Sequence, residues 1–109
     1  MPRILIKPLS VNEAWQGKRY KTHLYKSFEK KLLLMLPNIK IGNEKLSLRI
    51  IFAFSNAASD LDNPTKLVQD ILSKKYGFND KQIYELHLYK VIVPKGSEYI
   101  DFEFETIIS

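Results

Sequence analysis

Large apolar residues occupy every second position between Leu46 and Phe54. This strict alternation is typical of a β-strand, because successive side chains of a strand point to opposite faces of a sheet. The segment 99–106 repeats the pattern, with Ile100, Phe102 and Phe104 between acidic residues that are predicted to face solvent. Two strands with one apolar face each require a second layer that covers those faces.

Two further segments have the apolar spacing of amphipathic helices. The first follows Thr22, a predicted N-cap, and the second begins at Asn63 and Pro64, predicted as its cap and first helical residue, and stops at Gly77. Additional strands are predicted at 3–7 and 83–93. The order β–α–β–α–β–β predicts an α+β fold, a single small domain (1–109) with two helices packed on a mixed β-sheet. The predicted apolar stripes of the helices are Leu24, Phe28, Leu32, Met35 and Leu36 in the first, and Leu67, Val68, Ile71 and Leu72 in the second.

Composition excludes several classes of protein. The 109 residues include no cysteine, which excludes a disulfide framework, a cysteine nucleophile, thiolate-bound zinc and an iron–sulfur cluster. Two histidines disfavour a histidine-rich metal site. No apolar run approaches the roughly 20 residues of a membrane helix, and no signal-peptide pattern opens the chain. A protein of the cytoplasm with no membrane partner is therefore expected.

The charge is basic and unevenly distributed. Seventeen Lys and Arg residues against 12 Asp and Glu give a net charge of +5, and residues 1–31 hold eight of the cations and only two acids. A basic segment of this kind is compatible with a nucleic-acid partner. Phosphate contacts are predicted for Lys18, Arg19, Lys21, Lys66 and Lys74, with an ordinary solvated surface as the alternative.

The segment between the central strand and the second helix carries the clearest chemistry. On extended backbone, Asp60 and Asp62 would lie on the same side of the chain, with Leu61 turned away. Two adjacent carboxylates repel each other unless a cation lies between them, and Mg²⁺ or Mn²⁺ prefers such oxygen ligands. Lys66, one helical turn later, is placed to stabilise the charge on a phosphate under attack.

A third acid, Asp80, follows the second helix, which is roughly 20 Å long at 1.5 Å per residue. Asp80 reaches the other acids only if the chain turns and the strand from Ile83 pairs beside the central strand. Simpler interpretations stay open for each residue. The first two acids are compatible with an ordinary helix start, Lys66, Asp70 and Lys74 with a solvated ion-pair ladder, and Asp80 with a turn.

Several spaced motifs resemble those of the RusA-type Holliday junction resolvases, from about residue 3 to residue 105. The core motif is similar at Asp60-Leu61-Asp62-Asn63 with Lys66, Asp70 and Leu72, and again at Gly77 and Asp80-Lys81-Gln82-Ile83. The opening block is similar at Pro8-Leu9-Ser10-Val11-Asn12, Trp15, and Tyr20-Lys21-Thr22 with Lys26 and Phe28. Two features depart from the family: Asn79 stands where other members often carry an acid, and 55–59 is not basic.

The resemblance implies a homodimeric, Mg²⁺-dependent (or Mn²⁺-dependent) endodeoxyribonuclease that resolves four-way DNA junctions in recombination and repair, from a bacterium or a phage. It implies no small-molecule cofactor. By position, Asp60, Asp62 and Asp80 match the family's metal-binding acids and Lys66 its catalytic lysine, with Asn63 in a supporting role. Two alternatives stay open: a nuclease of the same fold that acts on forks, flaps or displacement loops, and a junction-binding protein without catalytic activity.

Overall fold

A four-stranded mixed sheet forms the centre of the molecule in a computed structural model that describes residues 1–9, 15–16 and 20–108. The strand order in the sheet is β1-β6-β4-β5, and β4 pairs parallel with β5 and antiparallel with β6. Two helices pack on this sheet, which confirms the predicted α+β fold. The elements in chain order are β1 (Arg3–Ile4), β2 (Trp15–Gln16), β3 (Tyr20–Lys21), α1 (His23–Met35), β4 (Leu46–Phe54), α2 (Asp62–Tyr76), a short 3-10 helix (Asp80–Gln82), β5 (Ile83–Ile92) and β6 (Tyr99–Thr106).

The core lies between the helices and one face of the sheet. Leu48, Ile50 and Phe52 of β4 are completely buried. Their partners across the strand pair are Phe104, Phe102 and Ile100, so the apolar rows of β4 and β6 lie on the same face. This register confirms the inward direction predicted from the alternation, since residues opposite each other in a sheet share a face.

Helix α1 begins as predicted and buries Phe28, Leu32 and Leu36 of its predicted apolar stripe. The hydroxyl of Thr22 accepts a hydrogen bond from the Tyr25 amide at 3.2 Å, which confirms the predicted cap. Tyr25, Phe28 and Leu32 are the buried residues of the helix. The prediction was wrong for Leu24 and Met35, which are exposed. Tyr25 takes the buried place predicted for Leu24; both have helical spacing with Phe28 and Leu32, and only packing selects between them.

Helix α2 begins earlier than predicted. Leu61 is already in the right-handed helical conformation (φ −63°, ψ −34°), and Asp62 is the first helical residue. Asn63 is therefore not the cap, and Pro64 is the third helical residue, where its missing N–H still costs no helical hydrogen bond. The extended backbone assumed between Asp60 and Asp62 was wrong for the same reason, because Leu61 turns the chain between them.

Gly77 ends α2 where the sequence predicts it. The residue has φ +72° and ψ 19°, and its amide donates to the Ser73 carbonyl at 2.8 Å. Only glycine adopts this left-handed conformation without a steric cost to the backbone. The space where a side chain would begin is open, so substitution there changes backbone strain and no packing contact.

Replacing Gly77 by Ala is expected to lower the free energy of unfolding by about 1 kcal/mol, because an L side chain disfavours positive φ. Replacement by Asn is expected to cost less, since Asn tolerates this conformation better. Urea denaturation measures both changes as a lower midpoint with an unchanged slope. Equal stability of the alanine variant and the wild-type protein would contradict the backbone-strain explanation.

One acidic residue of β6, Asp101, was predicted to face solvent but is buried. Asp101 is only 5% exposed. Arg3 of β1 donates to both of its carboxylate oxygens, from Nε at 3.0 Å and from Nη2 at 3.1 Å, and lies 3.8 Å from the centre of the Tyr99 ring. The pairing of β1 beside β6 brings this cation over the strand, which the alternation alone does not indicate.

β5 forms an edge of the sheet, with several large apolar side chains exposed, among them Tyr84, Tyr89 and Ile92. The strand ends at Ile92, directly beside Phe54 at the end of β4. The two parallel strands therefore present their carboxyl ends at the same side of the sheet. Along the part of the chain that the structure describes, neither helix has the length and apolar character to cross a bilayer.

Candidate active site

A cavity of about 330 Å³ opens at the carboxyl end of β4. In open sheets with parallel strands, this end is the usual place for ligands. The loop that follows β4 and the segment that follows β5 both reach the cavity, which places Asp60 beside groups that are distant in sequence. Its polar lining comprises Lys7, Ser55, Asn56, Ser59, Asp60, Asn63 and Glu98.

Asn56 organises the loop that leads to Asp60. Its side-chain oxygen accepts a hydrogen bond from the Ala58 amide at 2.9 Å, and its carbonyl accepts one from the Ser59 amide at 3.1 Å. Such Asn-centred turns satisfy backbone groups of a loop without a sheet or helix. The loop therefore forms a hydrogen-bonded turn, and Asp60 at its end lies in the cavity wall.

The cavity also contains two charged residues that the sequence did not indicate, Lys7 and Glu98. The Ser55 hydroxyl donates to Glu98 Oε2 at 2.8 Å, and the Gly96 amide donates to Oε1 at 2.9 Å. The hydrogen bond from Ser55, with further backbone hydrogen bonds, lowers the pKa of Glu98 below its ordinary value of 4.5, so this carboxylate is charged at neutral pH. No local pattern could have indicated it, because 43 residues separate Ser55 from Glu98.

Lys66 lies between two acids on the surface of α2. Its Nζ is 3.0 Å from Asp70 Oδ1 and 3.5 Å from Asp80 Oδ2. The hydrogen bond with Asp70 raises the pKa of Lys66, and the charges of Asp70 and Asp80 act in the same direction. Lys66 is therefore a cation at neutral pH, suited to stabilise negative charge and unsuited to remove a proton.

The turn after α2 explains how Asp80 reaches Lys66. The Asn79 side chain accepts a hydrogen bond from the Lys81 amide, and the Gln82 side chain accepts one from the Asn79 amide, both at 2.9 Å. Together they form a capping box for the 3-10 helix that begins at Asp80. Asn79, the departure from the family pattern, thus has a structural role here.

The three predicted acids occupy different surroundings. Asp60 lines the cavity, Asp62 is exposed at the start of α2, and Asp80 contacts Lys66. β5 pairs beside β4, which is the arrangement that would bring Asp80 near the other two acids. However, β5 starts opposite Leu46, at the end of β4 that lies far from the cavity. Among the residues that the structure describes, no three His, Asp or Glu side chains are grouped closely enough to hold a metal ion.

The side chains themselves fit a divalent cation in their chemistry. Carboxylate oxygens are the hard ligands that Mg²⁺ and Mn²⁺ accept, and both ions retain water molecules as further ligands. Asp60, Asp62 and Asp80 are all exposed and accessible to a hydrated ion. Asn63 also lines the cavity, and it is not the cap of α2, because that position belongs to Leu61. Of the two supporting roles predicted for Asn63, only positioning stays a prediction.

Of the five residues predicted to contact phosphate, the structure describes the side chains of Lys66 and Lys74. Lys74 lies 3.4 Å from Glu29 of α1, so it does not extend the ion pair of Lys66 and Asp70 into a ladder. Lys18 and Arg19 lie outside the described residues, as does the side chain of Lys21, whose backbone pairs with Trp15 between β2 and β3.

No family model matches this chain, and a search of the curated proteins also found no match. The resemblance of its motifs to RusA-type resolvases therefore stays a prediction.

Proposed function

We propose that this protein is a metal-dependent endodeoxyribonuclease of the RusA type, which resolves four-way DNA junctions by paired nicks. One observation carries the proposal: two exposed acids, Asp60 and Asp62, lie at the end of the loop that follows the central strand, and Lys66 lies one helical turn beyond them on α2. Exposed acids beside a basic surface disfavour plain DNA binding, since phosphates repel carboxylates, whereas a metal-dependent nuclease requires them.

In this proposal, Asp60, Asp62 and Asp80 would hold Mg²⁺ or Mn²⁺, which would supply an activated water and stabilise the departing oxygen of the phosphodiester. The described acids are not grouped in the metal-free protein, so the proposal requires that the bound ion draws them together. Lys66 is protonated at neutral pH, and Asp70 and Asp80 raise its pKa further, so its charge would stabilise the phosphate oxygens as they become more negative. The carboxylate of Asp70 orients the Lys66 ammonium through the 3.0 Å ion pair.

We propose a homodimer as the active form. A four-way junction has approximate two-fold symmetry, and a two-fold symmetric dimer would present one site to each of two opposing strands. The 109 residues hold one set of the predicted acids, and a second copy would supply a matching site for the opposing strand.

The test is cleavage of a synthetic mobile four-way junction, with duplex, fork and flap substrates as controls. Paired symmetric nicks in the junction, dependent on Mg²⁺ or Mn²⁺ and absent in a chelator, are expected. Cleavage of forks or flaps in preference to the junction would indicate the alternative substrate class. Junction binding with no metal-dependent cleavage of any substrate would overturn the proposal in favour of a binding protein.

A further inference from the structure

The Lys90 ammonium makes two short hydrogen bonds to the loop that precedes Asp60. Its Nζ lies 2.7 Å from the carbonyl oxygen of Ala57 and 2.7 Å from that of Ser59. Bonds from a charged donor are roughly twice as strong as neutral ones. Lys90 belongs to the edge strand β5, more than 30 residues further along the chain than the loop it contacts.

The register of the sheet explains why this lysine reaches the loop. Lys90 lies opposite Phe52 of β4, on the same face of the sheet as the helices but exposed at the sheet edge, two residues before the end of β5. Its row on that face is otherwise apolar, with Leu88 before it and Ile92 after it. At this exposed edge position the side chain of Lys90 is free of the core and extends to the loop at the end of β4.

The hydrogen bonds within the loop use its amides and do not engage the carbonyls of Ala57 and Ser59. These bonds join the amides of Ala58 and Ser59 to Asn56. The carbonyls of Ala57 and Ser59 instead converge on one ammonium, which fixes their relative orientation. Asp60 follows Ser59 immediately, so the peptide group that Lys90 holds is the one that leads into this acid.

We propose that Lys90 is a positioning residue for Asp60: by holding the carbonyls of Ala57 and Ser59, it fixes where the Asp60 carboxylate enters the cavity. This inference rests on the proposed function insofar as Asp60 serves as a metal ligand. The Ser55–Glu98 hydrogen bond holds the other end of the same loop, so Lys90 fixes the end that carries the acid.

The first test measures hydrogen exchange of the Ala58 and Ser59 amides in a Lys90→Met variant, which retains the length of the side chain and loses its three donors. We expect both amides to exchange about tenfold faster, because the turn opens more often without the ammonium bonds. Lys90→Arg is expected to restore much of the protection, since guanidinium also donates to carbonyls. Lys40→Met, an exposed lysine before β4, is the matched control. Unchanged exchange in Lys90→Met would overturn the proposal.

The second test measures Mn²⁺ affinity by electron paramagnetic resonance in the absence of DNA. We expect Lys90→Met to bind Mn²⁺ about tenfold more weakly, as for loss of a group that orients a metal ligand, with unchanged affinity of the metal-free protein for the junction. Faster exchange with an unchanged Mn²⁺ affinity would mean that Lys90 fastens the loop without positioning Asp60, and would overturn the proposal. A wild-type protein that cuts no DNA but shows both effects would refute the nuclease function alone.

Discussion

An Asp62→Asn variant is expected to lose junction cleavage by at least about 100-fold, the magnitude typical for removal of one group that stabilises charge in a transition state. The amide has nearly the same shape as the carboxylate but lacks the charge that Mg²⁺ requires. Asp62 is exposed at the first position of α2, so the substitution leaves the core unchanged. Single-turnover cleavage at saturating protein measures the loss.

Junction binding in a chelator is expected to stay near the wild-type level in the same variant, because the fold and the basic residues are retained. Glu105→Gln provides a matched control, since this exposed acid lies on β6 and faces away from the helices. Cleavage that persists in Asp62→Asn at the wild-type rate would exclude Asp62 as a metal ligand, and a loss of cleavage in Glu105→Gln would show that the assay responds to net charge alone.

Truncation of Phe102 to Ala is expected to lower the free energy of unfolding by about 3–5 kcal/mol, the range for loss of a large buried aromatic side chain. Phe102 is 1% exposed, and its ring packs edge-on against Phe104 at 5.9 Å and lies 6.3 Å from the ring of Tyr76. The substitution therefore removes contacts to both β6 and α2. Chemical denaturation monitored by circular dichroism measures the change.

Leu34→Ala is the comparison for Phe102→Ala, because Leu34 is 79% exposed on α1. A change within about 0.5 kcal/mol is expected for this variant, as for most surface substitutions. Similar losses from the two substitutions would contradict the position of the core between the helices and the inner face of β4 and β6.

Strands β4 and β6 and the existence of both helices follow from short-range patterns. The alternation around Ile50 and Phe102 requires one buried face whatever the rest of the chain does, because the side-chain period of a strand is two. Gly77 likewise ends its helix for a local reason, the preference for a left-handed residue at that position. Local patterns did not decide whether Tyr25 or Leu24 of α1 is buried, since both have suitable spacing.

In the candidate site, too, some features could be predicted from the sequence and others could not. The acids of the Asp60 motif and the position of Lys66 one turn beyond them are visible in the sequence, because they lie within a few residues of each other. The pairing of Lys66 with Asp80 depends on the turn at Gly77 and the capping box at Asn79. Lys7 and Glu98 reach the cavity only through the order of strands in the sheet.

The sequence by itself determined an α+β chain, the apolar faces of its strands and helices, and a motif of acids and a lysine after the central strand, since each depends on residues close together in the chain. The tertiary structure alone decided that Asp80 lies against Lys66, that Asp101 is buried against Arg3, and that Lys90 holds the Asp60 loop. These contacts join groups 14 to 98 residues apart. Their geometry is fixed by strand register and helix packing, which no local pattern encodes.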